Sequence, residues 1–246
     1  MKKIKVLDNF YMYQFEPFEQ RILGQNIYVL YGDKECIVFD AGYEVHMKQM
    51  INELKDYKIK YVICTHFHPD HVYGLNELPK QEVIGSIEYK ETLEFFDDLD
   101  NELLIPTILV EDEMTIKFDN HVLKLVLNQG HSKCGMLIDV DGTHLLIGDD
   151  YIALNDGRPV LPYVAGTLDM HISGLINILN RFKGYTFLPS HGKITTDIKD
   201  IEYRLRYLEF CKSQNKNLSE FYNDDDINYI NENWHNVNIN KIKKAN

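Results

Sequence analysis

The chain is poor in cysteine, and its cysteines make no motif. Cys36, Cys64, Cys134 and Cys211 form no C-x-x-C pair, and each sits in or beside an apolar stretch. This argues against a disulfide scaffold and for a reducing compartment. Long hydrophobic runs are also missing, since no stretch approaches the roughly 18 apolar residues of a membrane span. The opening "MKKIKVLDNFYMYQ" has lysines but no apolar segment behind them, because Asp8 and Asn9 interrupt it. A secretory signal is therefore not expected, nor membrane attachment, and a cytoplasmic location is. Positive charge is scarce: 26 Lys and Arg stand against 38 Asp and Glu, for a formal net charge of −12. Nucleic acid is not an expected partner, because it calls for a basic face. No linker, repeat or low-complexity tract divides the 246 residues, so a single domain over 1–246 is expected.

What is present is an alternation of strands and helices. "IYVLYG" (27–32) and "ECIVFDAG" (35–42) are β-branched and aromatic runs around Asp33-Lys34, a hairpin signal. Residues 44–57 read as a helix with Val45, Met50, Ile51 and Leu54 at helical spacing. "KYVICTH" (60–66) reads as a buried strand, 88–99 as a helix, and 105–150 as mostly short strands with a turn at Asp141-Gly142. Residues 168–182 place Ile172, Leu175, Ile176 and Leu179 on one helical face, and "YTFLPSHG" (185–192) is another strand. Helices are expected over 194–212 and about 217–232, packed on the rest, with a frayed lysine-rich end. Two mixed sheets with helices outside would bury this pattern.

The chemistry concentrates in "THFHPDH" (65–71). Imidazole and carboxylate are the ligands of Zn²⁺ and similar first-row metals. In an extended turn His66 and His68 point the same way and can grip one ion. Asp70 and His71, beyond Pro69, can turn toward a second. Further ligands are available at strand ends: His131 in "NQGHS", Asp149 in "LLIGD" and His191 in "LPSHG". Their order behind the H-x-H-x-D-H block carries the inference, because each alone is commonplace. Asp149 and Asp150 are neighbours on a strand and point to opposite sides. Only one of the two can easily face the metals, and the other is left to bond nearby amides or cap the turn.

This order resembles the metallo-β-lactamase fold superfamily. The resemblance spans roughly residues 20–193 and rests on "DAG" (40–42), "THFHPDH", "GHS" (130–132), "GD" (148–149) and "SHG" (190–192). It implies an α+β, four-layer αββα sandwich with a dinuclear metal site between the sheet edges. On this resemblance His66, His68 and His131 hold one metal, Asp70, His71 and His191 hold the other, and Asp149 bridges them. Asp40 corresponds to a carboxylate that orients a metal-binding imidazole. The implied cofactors are two divalent ions, zinc foremost, with iron or manganese as alternatives. Asn128-Gln129 and Lys133-Cys134 flank Gly-His in a way that departs from the family's usual pattern, and they bring a thiol near the expected pocket.

The implied activity is hydrolysis of a small ester, thioester, lactone or phosphodiester by a metal-bound hydroxide, with Asp70 as catalytic residue. The small-molecule substrate is expected to meet loop 151–170 and the residues beside it, through Tyr151, Arg158, Tyr163 and His171. The alternative is a persulfide dioxygenase-like oxidoreductase with one iron. Minor alternatives are a β-lactamase and a non-catalytic metal-binding protein. The sequence says nothing of the oligomeric state.

Overall fold

The computed structural model describes residues 1–213, 218, 220–221 and 225–245. The first sheet contains β1 (Lys2–Leu7), β2 (Phe10–Phe15), β3 (Gln25–Tyr31), β4 (Glu35–Phe39), β5 (Lys58–Ile63), β6 (Val83–Ser86) and β7 (Ile108–Val110) in sequence order. Its first four strands are antiparallel and its last four parallel. The second sheet contains β8 (Glu113–Phe118), β9 (His121–Leu127), β10 (Met136–Val140), β11 (His144–Ile152) and β12 (Thr186–His191). Here β8 to β11 form a meander, and β12 lies parallel to β11.

Strand alternation explains how the sheets stack. On β4, Ile37 and Phe39 join Leu125, Ile138, Leu146 and Leu188 of the second sheet in the central core. Cys36 and Val38 face the other way, onto Met47, Met50 and Leu54 of α1 (Glu44–Leu54). On β11, Leu146 points into the central core. Leu145 and Ile147 point out, onto Ile172, Leu175 and Ile178 of α4 (Leu168–Arg181) and Tyr207 and Leu208 of α5 (Lys199–Lys212). The result is the expected αββα sandwich. Short helices α2 (Pro69–Val72) and α3 (Tyr89–Phe95) follow β5 and β6, and α6 (Asp225–Ala245) follows α5. No helix among the described residues is long and apolar enough to cross a membrane.

Several expected details change. In α1 the buried stripe is His46, Met47, Met50 and Leu54, while Val45 and Ile51 are 39% and 41% exposed. The 3–4 spacing from Met47 to Met50 to Leu54 sets the face against the sheet, and Val45 and Ile51 fall beside it. In α4 the face centres on His171, Ile172, Leu175 and Ile178, which leaves Ile176 exposed and Leu179 half-buried. Helix α5 starts later than expected, because Thr195 pairs with the backbone of Phe187. Helix α6 runs on through the lysine-rich end, and of the helix expected over 217–232 residues 217, 219 and 222–224 lie outside the described residues. The Asp141-Gly142 turn forms as expected, with both residues at positive φ between β10 and β11.

Candidate metal centre

The H-x-H-x-D-H block takes its shape from one proline. After β5 the chain bends at Thr65 and reaches His68, which is extended at φ −73° and ψ 154°, and Pro69 then begins α2. Proline suits that first position because its φ is preset and its missing N–H would have no partner there. His66 and His68 therefore project from the segment before the helix, and Asp70 and His71 from its first turn. His131 arrives from the loop between β9 and β10, Asp149 from within β11, and His191 from the end of β12.

Two ligand groups result, and both include Asp149: His66, His68, His131 and Asp149, and Asp70, His71, Asp149 and His191. In the first, His68 Nδ1 lies 2.9 Å from His66 Nε2 and 3.2 Å from His131 Nε2. Asp149 Oδ2 stands 4.0 Å from His66 Nε2 and 3.8 Å from His131 Nε2. In the second, Asp149 Oδ1 is 3.4 Å from both His71 Nε2 and His191 Nε2, and Asp70 Oδ2 is 3.2 Å from His191 Nε2. The two oxygens of Asp149 thus face different groups.

A metal fits this donor set. Ligand atoms held 2.0–2.1 Å from a tetrahedral ion stand about 3.4 Å apart, close to the separations here. His71 Nε2, His191 Nε2 and Asp149 Oδ1 are buried, and none has a hydrogen-bond partner among the described residues. Buried polar atoms left in this way carry a desolvation cost that a cation removes. These groups could hold metal ions.

Four of the five imidazoles, those of His66, His71, His131 and His191, meet a partner at their other nitrogen. His71 Nδ1 donates to Asp40 Oδ2 at 2.9 Å, His131 Nδ1 to the Tyr163 carbonyl at 2.8 Å, and His191 Nδ1 to the Gly24 carbonyl at 2.7 Å. His66 Nδ1 lies 3.2 Å from Thr65 Oγ1, which donates to Asp40 Oδ2. Asp40 also accepts from the Thr65 amide and Ser190 Oγ, and it sits at φ 54°. Asp40 thus joins His71, Thr65 and Ser190 in one buried hydrogen-bond cluster. Thr65 and Ser190, inside the same motifs, brace it.

The register at Asp149 depends on a bulge. The pairing of β11 with β12 shifts at Gly148, whose φ is 56°. A Cβ there would stand 3.2 Å from Thr65 Oγ1, so glycine serves both the left-handed conformation and the close approach. Asp149 turns to the ligand groups. Asp150 turns away and accepts from the His131 amide at 2.7 Å and from Asn128 Nδ2 at 2.9 Å. Gly130 leaves room for that carboxylate, since a Cβ would meet Asp150 Oδ1 at 2.2 Å. Burial lifts Asp150 to about 7, against the pull of these hydrogen bonds.

The two groups differ in charge. Burial and neighbouring imidazoles push His66 well below the usual imidazole range, and burial takes His68 down to about 3. Burial also opposes charge on His71 and His191, but Asp149 with Asp40 and Asp70 outweighs it. His71 is raised well above its ordinary value, and His191 to about 10.

A cleft of about 700 Å³ opens over the centre, floored by His68, Asp70, His131, Asp149 and His191 and walled by Phe95, Phe96, Tyr163, Trp234 and Lys241. A smaller recess of about 220 Å³ adjoins Asp70 and His191, with Arg21, Gln25 and His46 in its wall. Of the four expected substrate contacts only Tyr163 lines the cleft. Tyr151 is buried in the outer core beneath the Arg204 guanidinium, 4.0 Å from its ring centre. Arg158 turns back on its own loop to Asp156. His171 is fully buried behind Asp150, with Nε2 3.6 Å from its carboxylate. These three are corrected: packing of the helices on β11 draws Tyr151 and His171 inward, and a local ion pair holds Arg158. Phe95, Phe96, Trp234 and Lys241 were missed, because nothing local to them signals a cleft. Cys134 is buried against Thr92 and Ser132, so its thiol is not presented to the cleft.

The αββα sandwich thus brings together two His/Asp groups that could hold metal. The family model of the metallo-beta-lactamase superfamily matches residues 21–183, and the chain belongs to that superfamily. Among solved structures, DIM-1 metallo-β-lactamase superposes with a TM-score of 0.70 at 16% identity, covering 85% of this chain and 96% of its own. An archaeal superfamily protein from Sulfolobus tokodaii gives 0.65 at 18% identity, covering 95% and 98%. A metallo-β-lactamase from Pontibacter korlensis gives 0.68 at 14%, covering 85% and 98%. At such identities the likeness is one of fold. No curated protein sequence matches.

Proposed function

We propose that the protein is a hydrolase dependent on two divalent metal ions, zinc foremost, acting on a small ester, thioester, lactone or phosphodiester. One observation carries this: two complete ligand groups share Asp149 on the floor of an open cleft. His66, His68 and His131 would hold one ion and Asp70, His71 and His191 the other, with Asp149 between. Bound there, the ions would supply Lewis acidity and a water acidic enough to be a nucleophile near neutral pH.

The chain's own residues do the rest. Asp70 keeps a quarter of its side chain exposed, at 24%, so it can accept a hydrogen bond from the attacking water and set its line of approach. Phe95, Phe96, Tyr163 and Trp234 form an apolar lobe suited to an acyl or aryl arm. Arg21, Gln25 and His46 form a polar lobe beyond Asp70 and His191, suited to the other end of the substrate. The scissile bond would lie between the lobes.

The test is metal content per chain of protein purified without added metal, alongside a panel of esters, thioesters, lactones and phosphodiesters. Two zinc equivalents with turnover of one of these classes is the expected result. One iron with oxygen consumption would overturn it in favour of a dioxygenase.

A further inference from the structure

Helix α6 lies beyond the matched segment 21–183, yet it reaches the centre. Asn231 and Asn238 are seven residues apart, two helical turns, so they project from one face, and Lys241 lies close to it. Both asparagines are buried, at 3% and 1% exposure. Their side chains act as the missing strand partner for the loop Leu161–Ala165. Asn231 Oδ1 accepts from the Leu161 amide at 3.0 Å. Asn238 Oδ1 accepts from the Val164 amide at 3.0 Å, and its Nδ2 donates to the Pro162 carbonyl at 2.9 Å and to the Tyr207 hydroxyl at 3.0 Å. Lys241 Nζ donates to the carbonyls of Val164 and Ala165.

Between the two residues that Asn238 grips lies Tyr163, whose carbonyl receives His131 Nδ1–H. The Gly166 amide in turn donates to the His131 carbonyl at 3.1 Å. The loop is therefore clamped by α6 on one side and carries a ligand imidazole on the other. Trp234, with its ring centre 5.7 Å from that of Tyr163, extends the same helix into the cleft wall.

We infer that Asn238 is a positioning residue for the His66–His68–His131 group, acting through the Tyr163 carbonyl to fix the tautomer and angle of His131. The inference rests on the reading that the two groups hold metal. A backbone carbonyl that receives the distal N–H of a ligand histidine sets both which nitrogen faces the ion and how the ring is turned. Here that carbonyl belongs to a loop whose own polar groups are satisfied by a distant helix, and of Asn231, Asn238 and Lys241 it is Asn238 that bonds on both sides of Tyr163.

The test compares metal-loaded wild type with Asn238→Ala. Three imidazole N–H protons can be followed by NMR: His131 to Tyr163, His71 to Asp40 and His191 to Gly24. In the variant the His131 proton should exchange with solvent faster, and one metal equivalent should weaken, by up to the roughly 10–100-fold that losing the orienting partner itself costs. The His71 and His191 protons and the other equivalent should not change. If all three protons and both affinities match wild type, or if all three protons decline together, the inference is overturned. Should Asn238→Ala fail to fold, Asn231→Ala removes a single bond two residues from Tyr163. The same pattern at smaller size supports the inference, and its absence overturns it. Wild-type protein that takes up no metal would overturn the underlying reading instead.

Discussion

The two halves of the centre use the same two residue types, yet they hold protons in opposite ways. Around His66, His68 and His131 burial dominates, and the imidazoles of His66 and His68 are kept neutral far below their ordinary range. Around His71 and His191 the carboxylates of Asp70, Asp149 and Asp40 dominate, and both imidazoles keep their protons well above it. Asp149 belongs to both halves but stands nearer to His71 and His191, 3.4 Å from each against 4.0 and 3.8 Å from His66 and His131, and Asp40 and Asp70 add to its pull there. The nearness of carboxylates, together with burial and the crowding of imidazoles, decides whether a ligand site must displace protons before a cation enters.

The hardest test of this pairing is to remove what the halves share. Asp149→Ala strips a ligand from both groups, so both metals and nearly all turnover should be lost. Asp150→Ala, one residue on, should retain both metals, because Asp150 faces the His131 amide and Asn128 instead. Its cost should appear as stability, about 1–3 kcal/mol for buried donors left without an acceptor. Metal analysis and thermal unfolding of the two variants side by side decide the matter. Metal loss in Asp150→Ala with retention in Asp149→Ala would reverse the assignment.

A narrower test separates the halves. His71→Ala should weaken only the Asp70–His71–His191 equivalent, and His68→Ala only the other, each by 10-fold or more, on the order of losses seen for orienting partners alone. Metal titration of the two variants should show one strong equivalent in each. If either substitution abolishes both equivalents, the halves are not independent sites.

The smallest expected effect is in pH dependence. His191 is raised to about 10 in the metal-free protein, above its ordinary 6.5. A raised histidine stabilises the metal-free fold fully below about 6.5, and that stability is lost as pH rises toward 10. Metal entering the Asp70–His71–His191 group at pH 7–8 must therefore release protons, and its affinity should climb with pH. The neutral imidazoles of the other group predict little change over the same range. Calorimetry in buffers of different ionisation enthalpy should resolve proton release for one equivalent only. Equal release from both would break the comparison.

Much of the centre was legible in the sequence because its parts are local. Backbone alternation puts His66 and His68 on one side, Pro69 begins the turn that redirects Asp70 and His71, and strand alternation separates Asp149 from Asp150. The αββα layering followed from the strand and helix pattern together with the family resemblance. Helix faces were legible only in part, since several apolar stripes are possible in α1 and α4 and the sheet beneath selects one.

What the sequence by itself determined is the set of groups able to bind metal and the order in which strand ends deliver them. Tertiary structure alone decided what each group touches: Asp40 with His71, Tyr163 with His131, Asn238 with the loop between them, and Trp234 in the cleft wall. It also turned Tyr151 and His171 into the core. The physical reason is reach. Covalent geometry constrains side chains a few residues apart, so a short motif predicts its own convergence. Contacts between residues 31 to 74 positions apart depend on which faces the whole chain buries, and no local pattern encodes that.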